Sequence, residues 1–250
     1  MEIWYNIGMK KLIEAVLNAK RTVALTGAGV STLSGIPDFR GPQGMYRNPE
    51  AEKIFDIDWF DRDPGVYYRG CRELVYGLEK FRPGPVHLAL KQLEDAGRLA
   101  GIATQNIDML HQKAGSSNVW ELHGSPLWHH CRICGKSATF EQVCSQLKAG
   151  AEVARCVCSG ALKPDITFFG EMLPEEALTA AQSAAIGADV MMVLGTSLTV
   201  FPAAGLPNLT LQAGGKVFIV NAQPTALDRY AAGRYPDLRE FADAVKNALA

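Results

Sequence analysis

At 250 residues the chain is long enough to bury a sizeable core, as one large domain or as one domain carrying an insert. A hydrophobic fraction of 48%, a charged fraction of 20% and a net charge of −1 fit a soluble globular protein and argue against a nucleic-acid surface. No apolar run approaches the roughly 18 residues that span a bilayer. The start Met1-Glu2-Ile3-Trp4-Tyr5 lacks the basic-then-apolar order of an export signal, so a cytoplasmic location is expected.

The elements follow in chain order. Leu12, Ile13, Val16 and Leu17 recur at helical spacing, predicting a helix over residues 9–20. Thr22-Val23-Ala24-Leu25 reads as a buried strand that runs into the loop Gly27–Gly41. A second helix spans Val86–Ala96 through Leu88, Leu90 and Leu93, and Gly97 stops it. Gly101–Thr104 and Val119–Leu122 are short strands, while Asp189–Gly195 and Lys216–Asn221 are strongly apolar ones. Helical patterns cover Pro174–Ala188 and Asp237–Ala250. Strands alternating with helices give an α/β fold with a mostly parallel, doubly wound sheet. Two stretches are too long for simple connections, Gly41–Pro85 and His129–Leu162. Both are expected to leave the sheet and meet in a smaller lobe.

The loop after the first strand carries Gly27-Ala28-Gly29-Val30-Ser31-Thr32 and continues to Pro37-Asp38-Phe39-Arg40-Gly41. A strand feeding Gly-x-Gly brings backbone amides to a pyrophosphate. Thr32 occupies the place of the third glycine of a dehydrogenase fingerprint, and the Pro-Asp-Phe-Arg tail has no use in hydride transfer. Gln105-Asn106-Ile107-Asp108 follows the Gly101–Thr104 strand, where open α/β sheets bind ligands. Its amides and carboxylate suit ribose hydroxyls and a carboxamide; equally, Asp108 could cap the turn that leads to Leu110.

His123, in Glu121-Leu122-His123-Gly124, stands at a strand end with a side chain suited to general base work, or else is structural. Cys131-x-x-Cys134 and Cys156-x-Cys158 suit a closed, tetrahedral zinc site that staples the lobe. Disulfides are the alternative, and His129 and His130 are available as substitute ligands. Cys71 and Cys144 read as buried helical residues. Lys163–Glu171 offers an apolar extended edge for a peptide, or is an ordinary strand with an aromatic core face. Gly195-Thr196-Ser197 and Asn221 end the two strongest strands, at typical positions for donors to a nucleotide.

Taken in order, GAGVSTLSGIPDFRG, TQNIDMLHQKAG, ELHG, the cysteine pairs, KPDITFFGE, GTSL and VN resemble the sirtuins, the NAD-dependent protein lysine deacylases, in their compact bacterial and archaeal form. These strings span residues 27 to 221. The resemblance implies a Rossmann-like NAD-binding domain of residues 1–40, 86–125 and 163–250. A helical insert, 41–85, and a zinc-binding module, 126–162, would form the small lobe. NAD, consumed as a co-substrate, would lie against Ala28, Thr32, Phe39 and Arg40. Gln105, Thr196, Ser197 and Asn221 would hold its ribose and adenosine end. Ile107 and Asp108 would hold the nicotinamide, and Asn106 would organise the ribose and a water. His123 would be the general base. Cys131, Cys134, Cys156 and Cys158 would hold one structural zinc ion.

The acylated lysine of a protein or peptide would enter between the lobes as an extended strand along Phe168-Phe169-Gly170-Glu171. The implied products are nicotinamide, deacetylated lysine and O-acetyl-ADP-ribose. Long-chain deacylation or mono-ADP-ribosyl transfer on the same scaffold is the alternative. Three departures stand out: the tight Cys156-x-Cys158 spacing, threonine at 167 and 199 where many relatives carry valine, and Tyr67-Tyr68-Arg69-Gly70-Cys71-Arg72, which lacks the Tyr-x-x-Arg of desuccinylating relatives. Uncharged acyl groups are therefore expected to be preferred.

Overall fold

The computed structural model describes residues 2–38 and 53–250. In chain order its helices are α1 (Glu2–Asn18), α2 (Gly29–Thr32), α3 (Ile57–Arg62), α4 (Pro64–Cys71), α5 (Pro85–Asp95), α6 (Leu110–Lys113), α7 (Phe140–Lys148), α8 (Glu175–Ile186), α9 (Leu206–Gln212) and α10 (Leu238–Ala248). The strands are β1 (Thr22–Thr26), β2 (Gly101–Thr104), β3 (Val119–Glu121), β4 (Gly124–Cys131), β5 (Ser137–Thr139), β6 (Leu162–Ile166), β7 (Val190–Leu194), β8 (Lys216–Val220) and β9 (Gly233–Tyr235). They form two compact units. One comprises Met1–Asp38, Phe81–Leu122 and Glu175–Ala250, the other Phe39–Lys80 and His123–Pro174. No helix among the described residues is long and apolar enough to cross a membrane.

The first unit is built on a six-stranded sheet in the order β3-β2-β1-β7-β8-β9, with every neighbouring pair parallel. The order reverses between β1 and β7, which is the switch point of a doubly wound fold. Strands β1 and β7 are buried along their whole length, because helices cover both faces. The period of two divides their side chains. Ala24, Met192, Leu194 and Phe218 pack with Leu12, Val16, Leu90, Leu93 and Phe241 of α1, α5 and α10. Val23, Leu25, Met191, Val193 and Ile219 pack with Ala181, Ala185 and Leu206 of α8 and α9. Each fully buried Leu, Val or Phe contributes about 1.5–3 kcal/mol. In α5 the buried stripe is Val86, Ala89, Leu90 and Leu93, while Leu88 is exposed. The 3.6-residue period places Leu88 off the sheet-facing stripe, so the leucine spacing alone misassigns it.

The second unit holds an antiparallel sheet, β5-β4-β6, with α3, α4 and α7. Phe55, Phe60, Tyr67, Tyr68, Tyr76 and Phe168 form its aromatic core, with ring centroids 5.2–6.5 Å apart and mostly edge-on. This geometry suits aromatic quadrupoles. Gly124 opens β4 at φ +69°, and a Cβ there would fall on the Asp165 carbonyl oxygen. Gly124→Ala is therefore expected to lower the unfolding free energy by about 1–3 kcal/mol, read as a shifted urea midpoint with unchanged slope.

Candidate functional site

Three loops at the carboxyl ends of β1, β2 and β7 are tied to one another. Gly27 donates its N–H to Leu194 O at 3.0 Å, and Gly29 donates to Gly195 O at 2.9 Å. A Cβ on Gly27 would lie 2.7 Å from the Thr196 Cβ, and one on Gly29 would lie 2.7 Å from the Gly195 Cα. Both glycines are therefore required by the close approach of the two loops. Gln105 accompanies them, donating from Nε2 to Thr196 Oγ1 at 2.9 Å.

Asn106 and Asp108 are almost fully buried, at 5% and 7% exposure. Asn106 Nδ2 donates to Gly27 O at 3.1 Å and to Ser31 Oγ at 3.2 Å. His87, on α5, is buried too; its Nδ1 accepts the Gly84 N–H at 3.2 Å, which assigns the ring proton to Nε2, 3.5 Å from Ser31 Oγ. Approached by two donors, the Ser31 hydroxyl aims its own hydrogen at Asp108 Oδ2, at 2.6 Å. The other oxygen, Oδ1, accepts the Leu110 N–H at 2.9 Å. The Asp108 carboxylate is thus oriented through both oxygens, and each keeps a lone pair for a ligand donor. The turn-capping and ligand-holding readings of Asp108 are compatible.

Beneath this network Thr26 Oγ1 donates to Thr104 Oγ1 at 2.9 Å and lies 3.0 Å from His111 Nε2. The His87 and His111 rings are 4.8 Å apart. Burial pushes both imidazoles below their ordinary pKa, partly offset at His87 by Asp108. His111, depressed further by His87, reaches about 3. An unfolded His111 takes up a proton near 6.5 and the folded one only near 3, so the stability this neutral ring contributes is present above 6.5 and is lost as pH falls toward 3. Urea midpoints measured from pH 8 to pH 4 should drop on acidification, and less steeply for His111→Gln.

The other expected residues occupy the same sheet end with fewer ties. Ala28 is half-buried, and Thr32 is exposed with its hydroxyl on Gly29 O at 2.8 Å. Ile107 is half-buried. Ser197 Oγ lies 3.0 Å from Thr199 Oγ1, and Asn221 Nδ2 donates to Gln223 O at 2.8 Å. Phe39 and Arg40 lie outside the described residues. Ser31, His87, His111, Thr26 and Thr104 complete the network without having been assigned a role from sequence. Ser31 lies within the glycine loop and offered a signal; His87 sits in a helical pattern with none.

In the second unit, half-buried His123 precedes β4 and accepts the Thr167 N–H on its carbonyl at 2.8 Å. The sulfurs of Cys131, Cys134, Cys156 and Cys158 lie within 4.8 Å of one another. The contacts 131–158, 134–158 and 134–156 are 3.4, 3.4 and 3.7 Å. A tetrahedron of thiolates at the usual zinc–sulfur length has edges of about 3.8 Å, whereas a disulfide needs about 2.05 Å. Four soft thiolates with no oxygen donor match zinc. The tight second pair is accommodated by a turn: Ser159 adopts φ +69°, and Cys156 donates its N–H to Gly160 O at 2.9 Å. The histidines considered as substitute ligands are engaged elsewhere. His129 Nε2 is 3.0 Å from the Tyr76 hydroxyl, and His130 Nδ1 is 2.7 Å from Asp165.

Part of the edge along Phe168-Phe169-Gly170-Glu171 is engaged within the second unit itself. Phe169 donates its N–H to Phe55 O at 2.7 Å and accepts from Ile57 N at 3.1 Å. Burying Phe55 and Phe168 in the aromatic core brings these backbones together, so Phe169 is already paired by its own chain.

The Sir2 family model matches residues 27–202. The chain is 43% identical over 236 residues to an NAD-dependent protein deacetylase of Thermotoga maritima, covering 94% of this chain and 95% of that relative. It is 42% identical over 224 residues to NAD-dependent protein deacetylase 1 of Pyrobaculum aerophilum, covering 89% and 87%. A Sir2 structure with a deacetylated p53 peptide and 3'-O-acetyl ADP ribose matches at TM-score 0.92 and 42% identity, over 96% of this chain and 98% of that one. A Sir2 structure with p53 peptide and NAD+ matches at 0.88 and 42%, over the same shares. Another, bound to a propionylated peptide, matches at 0.88 and 40%, over 97% and 99%.

Proposed function

We propose that this chain, which belongs to the Sir2 family, is an NAD-dependent protein lysine deacetylase releasing nicotinamide, deacetylated lysine and O-acetyl-ADP-ribose. The observation that carries the site assignment is the buried, fully oriented Asn106–Ser31–Asp108 network at the sheet's switch point. An oriented carboxylate and amide suit the carboxamide and the ribose of NAD.

The first compact unit is read as the NAD-binding domain and the second, with the cysteine module, as the small lobe. Ala28, Thr32, Phe39 and Arg40 line the dinucleotide; Gln105, Thr196, Ser197 and Asn221 take its ribose and adenosine end. Ile107 and Asp108 take the nicotinamide. The acetyl oxygen attacks the nicotinamide-bearing ribose carbon and nicotinamide departs. Asn106 orders the ribose and the attacking water. His123 removes a proton from a ribose hydroxyl, whose oxygen attacks the imidate carbon, and water then releases the free lysine. Cys131, Cys134, Cys156 and Cys158 hold one structural zinc, with no open position for chemistry. Thiolate ligands of this kind need reducing surroundings, which supports a cytoplasmic location.

The substrate is an acetylated lysine in an extended peptide. With Phe169 paired on one side, its backbone contacts fall on the remainder of the Phe168–Glu171 edge. Uncharged acyl groups are preferred, because α4 and its end lack the Tyr-x-x-Arg pair: Arg69 lies beside Asp63 at 3.3 Å, and Arg72 donates to the Leu147 and Ala151 carbonyls. A succinyl carboxylate buried without a cation is costly. Incubation with NAD and matched acetyl-, propionyl- and succinyl-peptides, followed by peptide mass, should show turnover of the first two and at least about tenfold slower turnover of the third. Absence of any acetyl-peptide mass change would remove the reading.

A further inference from the structure

We propose that Lys163 is a positioning residue for the peptide substrate, acting by clamping the turn at Phe168–Glu171; this rests on the reading of that stretch as the peptide's docking edge. Lys163 lies on β6, an edge strand of its sheet, and is 7% exposed. Its ammonium has three hydrogens, and three acceptors surround it. Pro164 O lies at 3.1 Å, Ile166 O at 2.9 Å, and Glu171 Oε2 at 2.8 Å. The Phe168 ring covers it at 4.2 Å. Glu171 Oε2 also accepts the Phe168 N–H at 2.8 Å, and Glu171 returns its own N–H to Phe168 O at 3.0 Å.

One ammonium thus joins the strand carbonyls to the far end of the turn, and one carboxylate oxygen closes the turn on itself. The result is a fixed presentation: Phe168 points into the core, while Phe169 and Met172 stand out at 44% and 92% exposure. A buried ion pair returns little net stability once desolvation is counted, and its usual value is geometric. Burial does lower the affinity of Lys163 for its proton, with Glu171 opposing. The clamp's partners all lie on β6 and the turn that follows it, so its loss should be felt by the peptide and not by the dinucleotide.

The test is steady-state kinetics of Lys163→Met, which keeps a long unbranched side chain, and of Glu171→Gln, which keeps an acceptor but removes the charge. Zinc content and cooperative thermal unfolding are measured alongside. The expected result is a KM for acetylated peptide raised about tenfold in both variants, with the KM for NAD at the wild-type value. An unchanged peptide KM in either folded variant overturns the proposal. So does a parallel rise in both KM values, or loss of the cooperative transition in both variants, since each makes the pair a general determinant of the fold. Wild-type protein that turns over no acetylated peptide in the same assay defeats the deacetylase reading instead, and the two failures are thereby distinguished.

Discussion

His123→Ala should lower kcat for acetyl-peptide hydrolysis by about 10²–10⁴-fold, the usual worth of a positioned general base. Nicotinamide leaves before the base acts, so exchange of labelled nicotinamide into NAD should persist in the variant when acetylated peptide is present. This split separates a base from a binding residue. The stability of the variant should stay near the wild-type value, because His123 is only half-buried and its carbonyl, which the substitution keeps, makes the bond to Thr167. Loss of exchange together with hydrolysis would move His123 from the second half of the reaction to the first. Hydrolysis at the wild-type rate would end its assignment altogether.

Removal of zinc should have the largest effect on the fold. The Cys131, Cys134, Cys156 and Cys158 sulfurs converge from two loops that share few apolar contacts: Ile133 and Val157, between the ligands, are 73% and 90% exposed. Beyond the β4–β6 ladder and the Arg132–Ala161 backbone bond, the metal is the main tie between those loops. Structural zinc in small modules is worth about 10–16 kcal/mol at neutral pH, far more than a surface cluster of that size. Elemental analysis should return about one zinc per chain. Cys134→Ser, or a strong chelator, should release it, expose the second unit to proteolysis and abolish deacetylation. Metal-free protein with full activity and an unchanged melt would overturn the assignment.

The strands of the first unit were legible because a parallel strand covered on both faces must be apolar throughout, as Val190–Leu194 is. The cysteine pairs were legible because ligand spacing is a local property. Leu88 shows the limit of local pattern: leucine spacing counts it as core, but the helix turns it to solvent. His87 shows it more sharply. Nothing in the sequence around it marks a polar partner, yet α5 brings it to Ser31, 56 residues away in the chain.

By itself the sequence determined the α/β class, the family, the strand-end positions of Gln105, Asn106, Asp108, Thr196 and Asn221, and the thiolate set. The class, the positions and the thiolate set follow from periodicity and from residue types at fixed short spacing, and the family from the resemblance of the motifs taken in order. Tertiary structure alone decided that Gly27 and Gly29 are required by the approach of Gly195 and Thr196, that Ser31 directs its hydrogen to Asp108, that Phe169 is paired by Phe55 and Ile57, and that Lys163 closes on Glu171. Each of these depends on which distant backbones the buried side chains force together. A hydrogen bond has direction and a reach near 3 Å, and no spacing along the chain encodes that.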